Sequence, residues 1–228
     1  MNEPANNSTP AEILFSDKNL LLFNKRPGVT VIPGRGETTG ISLREWAEQS
    51  LHEKLFVVHR IDRDTSGIVL FCRNAEWHRA LSLQFERRVV KKSYLALVEG
   101  VMSGEGELNG PVHQFGSGRM GVDVRGKPST TRYTILETLN GATLLNVNPL
   151  SGRRHQIRVH LFHHGHPVMG DRLYGLERPV GGVERLMLHA AALTFAYPGD
   201  VPFTAQAPVD FRWNELVGQF RGGRTDGC

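Results

Sequence analysis

Cysteine is almost missing from this chain of 228 residues: there are 2, Cys72 in an apolar run and Cys228 at the last position. That excludes a disulfide framework and points to a reducing cytoplasmic setting. No apolar run approaches the roughly 20 residues that span a bilayer, so no membrane partner is expected. Met1 to Pro10 is polar and lacks the basic-then-apolar layout of a secretion signal. Internal repeats and a clear linker are also lacking. An apolar share of 39% is enough for a substantial core. The economical reading is a flexible leader over 1–11, a single α+β domain over 12–220 and a flexible glycine-rich tail over 221–228. With no evident apolar surface stripe, a monomer is the default.

Acidic charge is in slight deficit, leaving a formal net charge of +4. Its distribution says more than its size. Arg60 and Arg63 form one basic cluster, Arg87, Arg88, Lys91 and Lys92 a second, and Arg153, Arg154 and Arg158 a third. A polyanion such as nucleic acid suits that layout.

Periodicity and punctuation place the elements. Ile13–Phe15 and Leu20–Phe23 read as strands paired in a hairpin across Asp17-Lys18-Asn19. Ser42 is a candidate cap for a helix over Ile41–His52, and Asn74 for one ending at Arg87-Arg88. Tyr94–Val98 reads as a strand, and Thr130–Thr138 and Ala142–Val147 flank the hairpin signal Asn140-Gly141. Residues 104–127, rich in glycine and charge, read as loops. Ser151–His164 is an expected helix stopped by Gly165 and Pro167, with Ile157 and Leu161 inward. Leu193–Tyr197 reads as a strand and Asp210–Phe220 as a closing helix.

The most informative segment is His59-Arg60-Ile61-Asp62-Arg63-Asp64-Thr65-Ser66-Gly67. Apolar Phe56–Val58 leads in and Ile68–Cys72 leads out, giving strand, loop, strand. A carboxylate on such a loop is fixed yet reachable, which suits a catalytic group; a salt-bridged surface turn is the plain alternative. Two further segments decide between them: Lys92-Ser93-Tyr94-Leu95-Ala96 through Gly100, and Gly152-Arg153-Arg154-His155-Gln156-Ile157-Arg158-Val159-His160. Together with Asn24-Lys25, Pro27-Gly28 and Arg185–Ala190, they resemble the RluA-type branch of the pseudouridine synthases over about residues 13–211. Ile61 stands where that family usually has Leu, and Arg26 where it usually has Pro.

The resemblance implies a mixed, largely antiparallel sheet with flanking helices and loops around a basic cleft. It implies isomerisation of uridine to pseudouridine in structured RNA, tRNA or rRNA, without cofactor or metal. Asp62 is then the catalytic carboxylate and Arg158 its partner, offsetting the cost of desolvating an anion. Tyr94 would stack on the extruded base, Leu186 and Leu188 would form an apolar wall, and Arg60 would fill the gap in the base stack. Arg63, Lys92, Arg153 and Arg154 are candidate RNA contacts. Helical spacing adds that Arg154 and Arg158, four apart, share a face, so one can pair inward while the other reaches phosphate.

Two other readings compete. An RNA-binding or RNA-folding module with an unused site would explain the basic clusters alone. A metal-dependent hydrolase would use His160 and His164, which have zinc-helix spacing, but no carboxylate or cysteine follows at ligand spacing and three arginines would repel a dication. Cys72 reads as a buried small hydrophobe.

Overall fold

The computed structural model describes residues 9–34, 40–175 and 180–222. The expected hairpin forms from β1 (Ala11–Ser16) and β2 (Leu20–Lys25), with the Asp17 carboxylate accepting the backbone N–H groups of Asn19 and Leu20 at the turn. Ser42 caps α1 (Leu43–Leu51) in a reciprocal capping box with Glu45. β3 (Phe56–Val57) and β4 (Ser66–Cys72) pair antiparallel on either side of the Asp62 loop. Asn74 caps α2 (Ala75–Glu86), and β5 (Lys91–Glu99) follows.

Residues 104–127 are more ordered than their composition suggests. They hold β6 (Gly106–Asn109), β7 (Val112–Gln114) and β8 (Met120–Val122). Their buried anchors Leu108, Val112 and Met120 are too sparse to make a period, so pairing comes from backbone ladders and not from a legible apolar face. β9 (Thr130–Leu139) and β10 (Ala142–Pro149) pair across Asn140-Gly141 as expected, with Gly141 at φ 68°.

The helix expected from Ser151 begins later, as α3 (Gln156–His163). His155 adopts a left-handed conformation, φ 55°, and interrupts the turn. The Gln156 side chain then ties the entry, its oxygen accepting from Ser151 Oγ (2.6 Å) and Arg153 N (3.1 Å). Arg154 therefore lies outside the helix, and the four-residue spacing does not put it on a face with Arg158. β11 (Leu188–Ala196) starts five residues before the strand expected at Leu193. β12 (Pro202–Gln206) and α4 (Phe211–Arg221), capped by Asp210, complete the chain.

The expected leader lies mostly outside the described residues, but Ala11 already belongs to β1. The tail beyond 222, with Arg224 and Cys228, is also outside them; Arg221 is still helical and pairs with Glu137.

The main sheet runs β1-β2-β4-β11-β5-β10-β9-β6, with β3 added on β4 and β12 on β11. Its pairings are antiparallel except that of β4 with β11, so the mixed, largely antiparallel α+β reading holds. One apolar cluster packs β5 and β10 against α3 and α4, and another packs β2 and β4 against α1. Tyr94 touches both, so the cleft opens where the two halves meet.

The parallel contact is unusually close. A Cβ at Gly67 would lie 2.2 Å from the Ala190 carbonyl oxygen, and its φ of 108° disfavours any side chain. Gly67→Ala is expected to lower stability by more than about 3 kcal/mol, against about 1 kcal/mol for loss of the α1 cap in Ser42→Ala. Urea unfolding of the two variants measures both; similar losses would mean that β4 and β11 can separate cheaply.

Candidate active site

The Asp62 loop is held from three sides. Ile61 is buried among the apolar residues of β2, β4 and α1. His59 stacks on Phe85 with ring centroids 4.9 Å apart, and its Nε2 accepts the Leu70 N–H at 3.0 Å, standing in for a strand partner. Lys25, fully buried at the end of β2, donates from Nζ to the carbonyls of Arg26 and Arg63, both at 2.8 Å. The loop is thus pinned to the Lys25–Gly28 turn, where Gly28 N also donates to Arg63 O (3.0 Å). Burial pushes the Lys25 amine down to about 7, although Asp64 and Asp62 pull it back up.

Arg158 comes from α3 to meet the loop. Its Nη1 donates to Asp62 Oδ2 at 3.1 Å, while Nε and Nη2 grip Asp171 at 2.7 Å each. Asp171 also accepts the backbone N–H groups of Leu173 and Tyr174. Its side chain is wholly buried, that of Asp62 one-quarter exposed. Burial opposes the Arg158 charge, but Asp171 and then Asp62 more than offset this and raise its pKa above the usual value. The arrangement holds Asp62 with one bond while leaving it open to the cleft.

The cleft has a volume of about 440 Å³ and a mostly basic rim. Asp62, Tyr94, Arg158, Leu188, Arg60, Lys92 and Arg153 all line it. Three candidates are placed elsewhere. Leu186 is buried in the apolar core instead of the cleft wall. Arg63 is exposed and donates from Nε to Gly28 O (3.0 Å). Arg154 is exposed and reaches toward Gly118 O at 3.5 Å.

Tyr94 is half-buried, and burial together with the Asp62 charge raises its pKa well above the usual phenol value. Lys92 donates to Ser151 O at 2.9 Å, and burial, with Arg88 adding repulsion, pushes it down to about 8. Two buried polar atoms of residues lining the cleft, Thr65 Oγ1 and Arg153 Nε, have no hydrogen-bond partner among the described residues.

Residues 19–163 match the family described as RNA pseudouridylate synthase. The chain belongs to that family. It is 38% identical over 202 residues to ribosomal large subunit pseudouridine synthase D of Nitrosomonas europaea, covering 83% of this chain but only 59% of that protein. To ribosomal large subunit pseudouridine synthase C of Escherichia coli (strain K12) it is 36% identical over 225 residues, covering 93% of this chain and 70% of the relative. The solved human RNA pseudouridylate synthase domain containing 1 superposes with a TM-score of 0.78 at 25% identity, over 96% of this chain and 91% of that one. As in the family resemblance, Asp62, Tyr94 and Arg158 converge.

Several residues of this family member's site have no role that the sequence alone assigns. Asp171 sits beyond the Gly165–Pro167 break, and nothing in its spacing reveals that it clamps Arg158. Lys25 follows an apolar run and reads as the strand's polar end, although it is fully buried. Arg88, at the left-handed exit of α2, lines the cleft, as does His155. The histidine pair weighed for metal is engaged otherwise. His160 uses Nδ1 on Thr131 Oγ1 and Nε2 on Gly110 O, and His164 Nδ1 donates to His160 O. Cys72 is fully buried, its thiol pushed up to about 12 by burial, so it packs as a small hydrophobe.

Asp171→Ala removes two of the three bonds on a buried guanidinium and is expected to cost about 3–5 kcal/mol in urea unfolding. A loss under about 1 kcal/mol would mean that Asp62 and solvent satisfy Arg158 without it. A second outcome concerns acid. Burial, aided by Lys92, pushes His59 from 6.5 down to about 3, so between those values the unfolded chain binds a proton that the folded protein excludes. Its contribution is complete above about pH 6.5 and is lost on acidification. His59→Gln should remove part of the fall in urea midpoint between about pH 7 and 5, the other depressed histidines, His155, His160 and His189, accounting for the rest.

Proposed function

We propose that this chain is a pseudouridine synthase that isomerises uridine in large-subunit ribosomal RNA, with Asp62 as its catalytic group. The observation that carries this reading is the Asp62–Arg158 pair, 3.1 Å apart at a basic cleft shared with Tyr94. The relatives' names favour ribosomal RNA over tRNA, the other target that the motifs leave open.

In this isomerisation the bond from uracil N1 to ribose C1′ breaks, the base turns, and a bond from C5 to C1′ forms. C5 loses its proton and N1 gains one. Nothing is oxidised, reduced or activated, so the reaction balances without a cofactor. Asp62 serves as nucleophile toward the sugar or base, or as a base toward the sugar; each role needs the anion that Arg158 stabilises. The environment of Tyr94 disfavours a phenolate, which supports stacking on the base over proton abstraction. Leu188 supplies the apolar side, and Arg60, exposed at the rim, is placed to enter the stack the uridine leaves. Lys92 and Arg153 face the phosphates, with Arg63 and Arg154 outside the cleft gripping flanking backbone. In the same reading residues 12–220 form the catalytic domain, working as a monomer in the cytoplasm.

Purified protein should release tritium from a large-subunit rRNA transcript carrying [5-³H]uridine. Asp62→Asn should bind that transcript and release none; release by this variant would refute the assignment. Binding should weaken steeply with salt, by about tenfold or more from 50 to 200 mM if several phosphates are neutralised.

A further inference from the structure

His155, at the mouth of α3, has a left-handed backbone, φ 55°, and its ring faces Asp62. Its Nε2 stands 3.9 Å from Asp62 Oδ2. That is too long for a direct hydrogen bond, and Oδ2 already accepts from Arg158. The ring lines the cleft wall beside Thr65 and Arg158.

The other side of the ring governs its protonation. His155 Nδ1 lies 2.8 Å from the Tyr174 hydroxyl. That hydroxyl already accepts the Met120 N–H at 3.2 Å. Tyr174 is 1% exposed, and the guanidiniums of Arg119 and Arg158, over its ring at 5.3 and 5.1 Å, offer no acceptor. The hydroxyl's single proton thus has one acceptor among the described residues: Nδ1. If Nδ1 carried a proton, in either the other tautomer or the imidazolium, the buried phenol hydrogen would be orphaned. His155 is accordingly neutral, with its proton on Nε2, facing the cleft. Burial lowers its pKa, with Asp62 pulling the other way, which agrees with a neutral ring.

We infer that His155 is a catalytic residue whose Nε2–H donates a hydrogen bond to a carbonyl oxygen of the uracil as the glycosidic bond breaks. This rests on the pseudouridine synthase reading above. The electron pair of the N1–C1′ bond passes to the departing base and spreads onto its carbonyl oxygens. A fixed neutral donor stabilises that charge while keeping its own proton, as an oxyanion-hole donor does. Arg158 has three of its five N–H groups committed to Asp171 and Asp62, so His155 adds a donor that neither carboxylate holds. Tyr174 is the positioning residue: through it the Met120 N–H of β8 dictates which nitrogen of His155 carries the proton.

Two measurements test this. Nitrogen-15 NMR of the histidine rings of the free protein, assigned by the signal lost in His155→Phe, should show a protonated Nε2 and a bare Nδ1 at neutral pH. Tyr174→Phe should abolish that preference. On the [5-³H]uridine rRNA transcript, His155→Phe should lower the single-turnover rate about 10²-fold with RNA affinity within about threefold, and His155→Gln, which keeps an N–H donor, should recover much of it. An Nδ1–H tautomer or an imidazolium overturns the inference, as does a His155→Phe rate equal to wild type or a loss confined to affinity. No release by wild type would remove this inference together with the reading beneath it. Release by wild type and by His155→Phe alike would remove this inference alone.

Discussion

One guanidinium shared between two carboxylates organises this molecule. Arg158 gives two bonds to Asp171 and one to Asp62. The unequal split matters because a carboxylate that receives both arms of an arginine is held too well to react. Asp171 absorbs the strong bidentate half of the interaction in a fully buried place, so Asp62 gets a single bond and keeps an exposed side. A buried ion pair adds little net stability, since desolvation offsets attraction; what it does here is fix a geometry. The Leu173 and Tyr174 N–H groups on Asp171 extend that geometry to the chain after α3.

The same economy recurs around the cleft. Lys25 uses its amine on two loop carbonyls, and His59 replaces a strand partner for Leu70. Each spends a polar group to pin a loop that carries no regular structure of its own. The demand comes from the parallel contact of β4 with β11, which brings Ser66 and Gly67 against His189 and Ala190. Ser66 Oγ there meets His189 Nδ1 at 2.9 Å and accepts from Arg185, so the exit of the loop is as firmly bonded as its entry. A site built on loops reaches the precision of one built on strands when every loop end is anchored in this way.

Much of this was legible in the residues. Ser42, Asn74 and Asp210 announce helices because a short oxygen-bearing side chain before an apolar stripe satisfies the first free N–H groups locally. Asn140-Gly141 marks its hairpin for a similarly local reason, the positive φ that glycine tolerates. Asp62, Tyr94 and Arg158 were readable through three motifs taken together. The strands of residues 104–127 were not, because their stability comes from backbone pairing, β6 with β9 and β7 with β8, and from a few buried anchors. Nor was the late start of α3, where the left-handed His155 interrupts the turn and the Gln156 side chain ties Ser151 and Arg153 to the helix entry.

The sequence by itself determined the α+β class, the caps and turns, and the motifs that carry Asp62, Tyr94 and Arg158, since each depends on local geometry or on a contiguous motif. Tertiary structure alone decided that Asp171 holds Arg158, that Lys25 is buried under the loop, that Leu188 and not Leu186 faces the cleft, and that the Tyr174 hydroxyl meets His155 Nδ1. Those facts depend on hydrogen bonds and packing between segments far apart in the chain, and only the closing of the sheet around β11 brings their partners within reach.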